Sequence, residues 1–353
     1  MSKEALKPLI SVIVPVHNGQ DFLENCVDTI CAQTYPNVEV ILVDDGSVDN
    51  TNAICTRLCR EKENISLITM EDLGVSAARN RAIRQAKGEY ITFVDADDRI
   101  HPQMLSVLAD CLEETESDLA GCGFFAWQDE ASWKEGSGKI QMQDVQALGR
   151  NAVIHSAEEF VLNGILKNNT RCWSKLYRRN CFDNTLFREG LTIGEDMMFL
   201  VDMVPYLKKA ASVEFAGYGY FRNPAGAMNR KFKPSYMDQI LCWELAEKQL
   251  CIWAQNNKNM SEEQKEQITQ ICSARKMVSI MLAAGKLAEL TGAEKKSSSQ
   301  YSKICHEKIL EAVRNKTGMK LLDRGYQIKV RMFSMLPGAY LMLYGALQRK
   351  KKR

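Results

Sequence analysis

Three carboxylates, Asp95, Asp97 and Asp98, crowd together where an apolar run ends in the segment YITFVDADDR, residues 90–99. Two negative charges about 4 Å apart repel by roughly 4 kcal/mol at an effective dielectric near 20, so a positive partner is expected beside them. A basic side chain, a shared proton or a divalent cation would each serve, and an oxygen-only ligand set suits Mg²⁺ or Mn²⁺. Aspartates also cap helices and solvate turns, but three within four residues favour a metal site.

The elements that must position these carboxylates alternate between short apolar runs and helical stretches. Strands are predicted at residues 9–16, 38–45, 65–70 and 89–96, with helices at about 21–33, 51–62 and 75–87. Continuous β-branched runs separated by helices indicate an α/β fold with a mostly parallel sheet covered on both faces. Side chains two apart on a strand project to the same face, so we expect Asp95 and Asp97 to converge.

Polar residues follow three of these strands at the point where each strand ends. Pro15 and His17 lie at the end of the first strand, Asp44 closes the second and Asp95 closes the fourth. Ligands of open parallel sheets bind beyond the carboxyl ends of the strands, so these residues predict one binding rim. The first strand is followed by neither a G-x-G-x-x-G nor a G-x-x-x-x-G-K-[ST] loop, which disfavours a Rossmann dinucleotide domain and a P-loop.

Composition narrows the classes of partner. The chain has 353 residues, with 46 Lys and Arg against 44 Asp and Glu, so its net charge of +2 gives no reason to expect nucleic acid. Twelve cysteines are scattered without a C-x-x-C pair, and the N-terminus lacks the apolar core of a secretory signal. We therefore expect a reduced, cytoplasmic chain. Four dispersed histidines argue against a zinc site.

The alternating pattern weakens beyond residue 125. The polar segment 127–146 is predicted to be a loop or hairpin, and the polar segment 291–300 a linker. A helix is expected at about 156–168. Ser261 and Gln264 form a capping box that predicts the start of a long helix.

The end of the chain combines apolar and basic character. The sequence after residue 235 has a helical pattern. We therefore predict a boundary between a domain of residues 1–232 and a helical region of residues 233–353. The 16 residues 332–347 carry no charge and precede RKKKR at 349–353, and about 20 residues would be needed to span a bilayer. Two alternatives remain for the segment 332–353. It lies in a membrane interface, where each basic residue contributes about 1 kcal/mol, or it packs on the core with a solvated basic end.

Two long stretches and one short one carry a recognisable pattern: SVIVPVHNGQDFLENCVDTICAQTYPNVEVILVDDGSVDNT at 11–51, GVSAARNRAIRQAKGEYITFVDADD at 74–98 and GED at 194–196. They resemble the nucleotide-sugar transferases of glycosyltransferase family 2, which have the GT-A fold. The resemblance covers about residues 9–225. It implies a GT-A-like domain of the bacterial polysaccharide type, and inverting, metal-dependent transfer of one sugar from a UDP-sugar to a hydroxyl of a glycan or lipid-linked acceptor.

The resemblance also implies roles for individual residues of the rim. Donor binding is assigned to Pro15, His17, Asp44, Arg79 and Asp95. Asp97 would hold Mn²⁺ or Mg²⁺, with Asp95 beside it. Plainer alternatives stay open from the residues themselves: Asp44 is also suited to capping its turn, a task that Asp45 could take instead, and Arg79 is also suited to pairing with one of the aspartates.

A second acidic pair is assigned to catalysis on the same resemblance. Asp196, with Glu195 as the other candidate, would be the general base, although acidic residues in a first helical turn are also favoured by the helix dipole. Trp173 could stack on a sugar and Lys175 could meet a phosphate, with core packing and surface charge as the alternatives. Acceptor or phosphate contacts are thus assigned to Asp98, Trp173, Lys175, Arg222 and Arg230.

The chain departs from the family pattern in two places. Residues 71–74 read EDLG where many members have Glu-Asn-Gly-Gly, and NPAGAMNR after YGYFR lacks the usual Ser or His near the pyrophosphate. Two rival functions remain. A sugar-phosphate nucleotidyltransferase needs a glycine-rich loop that PVHNGQ does not supply, and a noncatalytic scaffold for binding sugar-nucleotides is disfavoured by the D-x-D and E-D pairs. Contact of the segment 332–353 with a membrane would agree with a location at the inner face of the cell membrane.

Overall fold

The computed structural model describes residues 7–139, 151–224, 226, 231–314 and 318–351, and the chain divides into two compact units. The first unit contains the described residues up to 165, together with 169–190 and 202–226. The second contains 166–168, 191–201 and the described residues from 231 onwards. Two short segments that precede residue 232 therefore belong to the second unit.

A nine-stranded sheet forms the core of the first unit. Its strands are β1 (Ile10–Val16), β2 (Val38–Asp45), β3 (Ile65–Met70), β4 (Tyr90–Phe93), β5 (Arg99–Ile100), β6 (Leu119–Trp127), β7 (Val153–Ser156), β8 (Lys175–Arg178) and β9 (Lys209–Phe221). The order is β3-β2-β1-β4-β8-β6-β9-β5, with β7 paired to β9. The β1–β2, β2–β3, β1–β4 and β6–β9 pairs are parallel. The predicted mixed α/β fold with a mostly parallel central sheet is confirmed.

Helices cover both faces of the parallel half of this sheet. They are α1 (Leu23–Cys31), α2 (Thr51–Glu61), α3 (Val75–Gln85) and α4 (Met104–Thr115). All seven side chains of β1 are buried, and Val12 and Val14 belong to a core shared with α1, α2 and α4. Helix α3 packs on β1 and β2. Such burial on both faces explains why these strands read as continuous apolar runs.

The fourth strand ends earlier than the sequence predicts. β4 ends at Phe93, whereas the apolar pattern runs on to Ala96. The reason is a turn in which the Asp98 N–H donates to the Asp95 carbonyl over 2.9 Å. The expectation that Asp95 and Asp97 converge as neighbours on one strand face was therefore wrong, because both lie in the turn.

Two segments after residue 125 differ from prediction in their local structure. Helix α5 (Glu130–Gly138) occupies part of the predicted loop 127–146, because Asp129 and Ser132 form a capping box at its start. Residues 140–146 of that loop lie outside the described residues. The helix predicted at 156–168 is present in three pieces: an α-helical turn, α6 (Ala157–Glu159), then a π-helical segment, Phe160–Gly164, and a 3₁₀ turn, Ile165–Lys167.

Within its described residues, the second unit contains helices and no strand. Its helices are α7 (Glu195–Met203, whose last two residues belong to the first unit), α8 (Asp238–Asn256), α9 (Glu262–Glu289), α10 (Gly292–Ser297), α11 (Ser299–Arg314), α12 (Arg324–Met335) and α13 (Pro337–Lys351). The predicted capping box of Ser261 and Gln264 starts α9. The predicted linker 291–300 was wrong, because α10 and the start of α11 occupy it.

The last helix, α13, has one packed face and one exposed face. Tyr340 is buried, and a side chain on Gly345 would collide with the Ala288 carbonyl of α9, so the two backbones approach closely. On the other face, an apolar stripe is 50–61% exposed; it consists of Leu336, just before the helix, with Met342, Leu343 and Leu347. Over the residues that the structure describes, no helix is long and apolar enough to span a membrane.

Candidate active site

The carboxylate loop, residues 95–98, is fixed by its third carboxylate. Asp98 is 1% exposed and accepts hydrogen bonds from the Tyr218 hydroxyl (2.6 Å) and the Phe221 N–H (2.7 Å), both on β9. Burial, followed by the charges of Asp95 and Asp97, raises the pKa of Asp98 well above its usual range. The assignment of Asp98 to acceptor or phosphate binding therefore needs correction: its carboxylate faces inwards and holds the loop on β9.

The positive partner expected beside the cluster is Arg79 of α3. Its Nη2 lies 3.0 Å from Asp95 Oδ1, and its side chain is only 3% exposed, against 31% for that of Asp95. The guanidinium also lies over the Phe187 ring, 5.1 Å from its centroid. Pairing with an aspartate, the plainer alternative for Arg79, is confirmed. A buried arginine in this position offsets the repulsion between the carboxylates.

Asp97, like Asp95, is half-buried at the rim. Its Oδ2 accepts a hydrogen bond of 3.1 Å from the Asn223 side-chain amide, just after β9. Sequence reasoning missed Asn223, although it stands directly after the YGYFR motif that marks the end of the strand. Together, Arg79, Tyr218 and Asn223 brace the loop from three sides.

The loop after β1 is joined to the loop after β2. Pro15 is buried and lies in register with Val43, whereas His17 is exposed. His17 Nδ1 lies 2.7 Å from the Asp45 carbonyl, so this nitrogen carries the proton, and Nε2 accepts from the Asn18 amide at 2.8 Å. The orientation of the His17 ring is therefore fixed before any ligand binds.

The aspartates at the end of β2 have separate tasks. Asp44 is 1% exposed and accepts from the Ser47 N–H (3.1 Å) and the Asn52 amide (2.7 Å), so Asp44 itself caps the turn. Asp45 instead accepts from the N–H groups of Leu73 and Gly74, at 2.9 and 2.8 Å, and so fixes the loop that leads into α3.

Gly46 makes this arrangement possible. Its φ is +72°, and a Cβ there would lie 2.6 Å from the Asp72 nitrogen. Only glycine fits this turn without strain.

An aromatic cluster borders the carboxylate loop. Trp173 stacks on Tyr218 and Tyr220 with centroid distances of 4.4 and 5.6 Å, and Phe124 meets Trp173 edge to face at 5.3 Å. Trp173 is only 4% exposed, so the exposed rings are those of Tyr220 and Phe124, each 40% exposed. Burial and the three loop aspartates raise the pKa of Tyr220. The period-two aromatic pattern GYGYF was the available sequence signal for the two tyrosines.

The basic residues assigned to phosphate lie in different settings. Lys175 is 2% exposed, and its Nζ donates to Asn169 Oδ1 and the Arg171 carbonyl, both at 2.8 Å. Its assignment is therefore corrected, because these contacts give Lys175 a structural task inside the unit. Arg222 is exposed just beyond β9, and Arg230 lies outside the described residues.

The acidic pair begins α7, as the sequence predicts. Glu195 and Asp196 are half-buried in its first turn. Gly194 precedes them with φ +99°, and a Cβ there would lie 2.9 Å from Cys242 Sγ of α8. The Thr192 N–H also donates to Asp238 Oδ2 at 2.9 Å. The start of α7 is therefore held against α8 within the second unit.

Comparison with known proteins identifies the family. The model of glycosyl transferase family 2 matches residues 11–191. EpsJ of Bacillus subtilis, described as an uncharacterized glycosyltransferase, is 33% identical over 242 residues, which cover 66% of this chain and 67% of EpsJ. A poly(ribitol-phosphate) β-glucosyltransferase of Bacillus spizizenii is 40% identical over 114 residues, 31% of this chain and 18% of that protein.

One solved structure has a similar fold over nearly the whole chain. S. aureus TarS 1–349 in complex with UDP-GlcNAc superposes with a TM-score of 0.68 at 20% identity, over 97% of this chain and 92% of that one. The match with the family model covers just over half of the chain. The chain therefore belongs to glycosyl transferase family 2 and is a glycosyltransferase.

Proposed function

We propose that this protein transfers a single sugar from a UDP-sugar to a hydroxyl group of a glycan or lipid-linked acceptor in cell-surface polysaccharide synthesis. The observation that carries the proposal is the braced carboxylate loop. Asp98 and Arg79 use buried bonds to hold a loop whose remaining carboxylate, Asp97, stays at the rim. Buried polar contacts thus hold one carboxylate in a fixed position, as a catalytic or binding group requires.

Donor binding is assigned to the loops after β1 and β2. Each oxygen of Asp44 accepts one hydrogen bond in the structure and has a second acceptor site, but the residue is only 1% exposed, so it would receive the imide N–H of uracil only after the turn that it caps shifts. Pro15 and the oriented ring of His17 would line the base and ribose, and Asp95 would meet the ribose. The TarS structure, which shares the fold, holds UDP-GlcNAc.

The residues of the loop fit a divalent cation. Asp97 and Asp95 offer carboxylate oxygens, and Mg²⁺ is commonly bound by one or two carboxylates together with substrate phosphates and water. Within the described part of the chain, no group of three His, Cys, Asp or Glu side chains is placed to hold an ion. Bound at the loop, Mn²⁺ or Mg²⁺ would supply Lewis-acid stabilisation of charge on the diphosphate.

The transfer step is assigned to the acidic pair of α7. Asp196, with Glu195 as the alternative, would accept the proton of the acceptor hydroxyl while its oxygen bonds to the anomeric carbon. The bond from that carbon to the diphosphate oxygen breaks with its electron pair, which stays on the nucleotide. Attack from the opposite face inverts the configuration. A positioned general base typically contributes 10²–10⁴-fold to the rate.

The acceptor would meet the exposed rings of the aromatic cluster. Tyr220 and Phe124 present faces or edges beside the carboxylate loop, and stacking of sugar rings on aromatic side chains needs such partly exposed surfaces. The Arg171 guanidinium lies 4.6 Å from the centre of the Phe124 ring. Trp173 would act indirectly, because it supports both tyrosines from within.

The acceptor's location is proposed from α13. The exposed stripe of this helix is apolar, and Arg349 and Lys350 are exposed at its end. An anionic bilayer surface matches both features, since the leucines can enter the interface while the basic end meets the headgroups. These features support the proposal that the protein acts at the inner face of the cell membrane, on a lipid-linked acceptor.

Thermal protection by a panel of nucleotide-sugars tests the donor and metal assignments together. A UDP-sugar with Mn²⁺ at 100 times its Kd should stabilise the fold by about 2.7 kcal/mol, and chelation of the metal should remove most of this protection. Asp97→Ala should lose the metal-dependent part and reduce UDP release at least about 10³-fold, since Lewis-acid stabilisation is worth several kcal/mol.

Asp110→Ala is the matched control, because Asp110 is a half-exposed aspartate on α4 that pairs with the half-exposed Lys7 over 3.7 Å. It should leave protection and turnover unchanged. Full turnover by Asp97→Ala with metal present would contradict the metal assignment. Donor protection without UDP release, across a panel of glycan and lipid-linked acceptors, would favour the noncatalytic scaffold instead.

A further inference from the structure

The second unit contains a cavity that the transfer reaction does not use. It has a volume of about 410 Å³ and lies between the end of α9, helix α10, the start of α11 and helix α13. Binding sites for small molecules commonly have volumes of roughly 300–1,000 Å³. The cavity is therefore large enough for a headgroup and the first part of a hydrocarbon chain.

The lining of this cavity is divided by polarity. Leu287 and Leu290, 4% and 6% exposed, are buried apolar members of the lining, and Leu341 of α13 is a third. Lys295 and Lys296 line it too, and both are exposed. Three further lining residues are serines: Ser298, Ser299 and Ser302. One part of the cavity thus offers hydrocarbon contacts, and another offers positive charge and hydroxyl groups.

The described residues supply no carboxylate that pairs with the lysines of the cavity rim. Glu294, next in sequence, is engaged by Lys231, with Nζ 3.3 Å from Oε1. Within the described residues, neither Lys295 nor Lys296 has a carboxylate partner, and no carboxylate lines the cavity. Two adjacent ammonium groups and several hydroxyls form a set of donors suited to phosphate oxygens.

Helix α13, which carries the exposed stripe, also contributes one residue to the cavity. Leu341 lines it, and Met342 and Leu343 follow on the same helix with 60% and 50% of their surface exposed. Residues two apart on a helix lie about 200° apart around its axis, so Leu343 is on a different side of α13 from Leu341, and the hydrocarbon contacts of the cavity are those of Leu287, Leu290 and Leu341. A free phosphate ion would make no use of the leucines, and a neutral lipid would make no use of the lysines.

We propose that this cavity binds the phosphate group of a membrane lipid. Lys295 and Lys296 contact the phosphate, the serine hydroxyls donate to its oxygens, and the leucines contact the first methylene groups. The inference extends the proposed membrane contact from a general attraction to a defined site. It does not depend on the sugar donor, so its failure and the failure of the transferase mechanism are separate outcomes.

Sedimentation of the full-length protein with vesicles tests the site first. Vesicles of phosphatidylcholine with about 30 mol% phosphatidic acid should bind the wild type, and Lys295→Ala/Lys296→Ala should reduce the partition coefficient about 30-fold, from about 1 kcal/mol per lysine. The control Lys248→Ala/Lys258→Ala removes two exposed lysines elsewhere in the same unit and should change binding less than about 3-fold. Equal losses in both double variants would overturn the proposal, because the attraction would then be spread over the surface.

A soluble amphiphile tests the cavity itself. Dioctanoyl phosphatidic acid, measured by calorimetry below its micelle concentration, should bind at least about tenfold more tightly than inorganic phosphate or dioctanoylglycerol. Ser302→Phe fills the cavity without changing its charge and should abolish this binding while its thermal unfolding stays cooperative. Wild-type affinity in Ser302→Phe, or equal affinity for inorganic phosphate, would contradict a lipid-phosphate site.

Discussion

The carboxylate loop and the last helix, α13, are both charged. The carboxylates of the loop are paired or hydrogen-bonded within the protein, whereas the basic residues of the helix are exposed. In the loop, Asp95 pairs with Arg79, and Asp98 accepts two buried hydrogen bonds from β9. On α13, Arg349 and Lys350 are exposed beside a stripe of exposed leucines. The first arrangement fixes atoms in place, whereas the second presents a surface with no single geometry.

This difference teaches where substitutions should matter. Removing one partner from a buried polar network leaves other groups unsatisfied, at roughly 1–3 kcal/mol for each. Removing one exposed side chain usually changes stability by less than about 0.5 kcal/mol. Variants near the loop should therefore alter chemistry and folding, and variants of the exposed stripe of α13 should alter only association with a membrane.

The largest effect is expected from the proposed base. Asp196→Asn should reduce transfer about 10³-fold, because the amide cannot accept the proton, while thermal protection by the donor is retained. Glu195→Gln is the matched variant and should lose less than about tenfold. Initial rates of UDP release, together with vesicle binding, measure both. A larger loss of activity in Glu195→Gln than in Asp196→Asn would assign the base to Glu195. Loss of vesicle binding in either variant would contradict the difference drawn between the site and α13.

The next effect is on the folding of the carboxylate loop. Asp98→Ala should lower the free energy of unfolding by about 2–4 kcal/mol, because the Tyr218 hydroxyl and the Phe221 N–H lose their acceptor. Asp98→Asn keeps the shape and one acceptor oxygen, so it should cost about 1 kcal/mol. Urea denaturation followed by fluorescence compares the two. Equal stability of Asp98→Ala and the wild type would show that the buried contacts contribute nothing.

The smallest effect is on the exposed stripe. Leu343→Gln should reduce partitioning onto anionic vesicles about tenfold, because half of a leucine side chain contributes about 1–1.5 kcal/mol when buried. Turnover with a soluble acceptor should not change. Leu241→Gln, at an apolar position of α8 that is 44% exposed, is the control and should bind vesicles like the wild type. Identical partitioning of the two variants would contradict a membrane-facing stripe.

The parallel half of the sheet was predictable because its local signals agree. The apolar runs of β1 and most of β2 are buried, the edge strand β3 is only partly buried, and the helices between them follow the predicted bounds closely. The end of β4 was not predictable from the same pattern. Val94 is apolar, but the turn between Asp95 and Asp98 stops the strand, and that turn depends on hydrogen bonds from β9.

The misassigned site residues share one physical cause. Trp173 and Lys175 look like exposed binding residues in the sequence, but Ser174 between them has φ +58°, and partners distant in sequence bury the tryptophan. Tyr218 and Asn223 were missed for the same reason, since their roles depend on Asp98 and Asp97, more than a hundred residues earlier. Local sequence patterns predict that the carboxylates lie at the rim, but they do not predict which distant residues hold the carboxylates there.

The side chain of Asn80 has a consequence for the order of folding. Its amide donates to the Phe187 carbonyl and its oxygen accepts from the Phe187 N–H, both at 2.8 Å, across 107 residues of sequence. At a synthesis rate of roughly 5–20 residues per second, about 5–20 seconds therefore pass between the synthesis of Asn80 and that of Phe187. Until residue 187 leaves the ribosome, the helix that carries Arg79 lacks one of its buried anchors. Completion of the carboxylate rim is thus a late event in the life of the nascent chain.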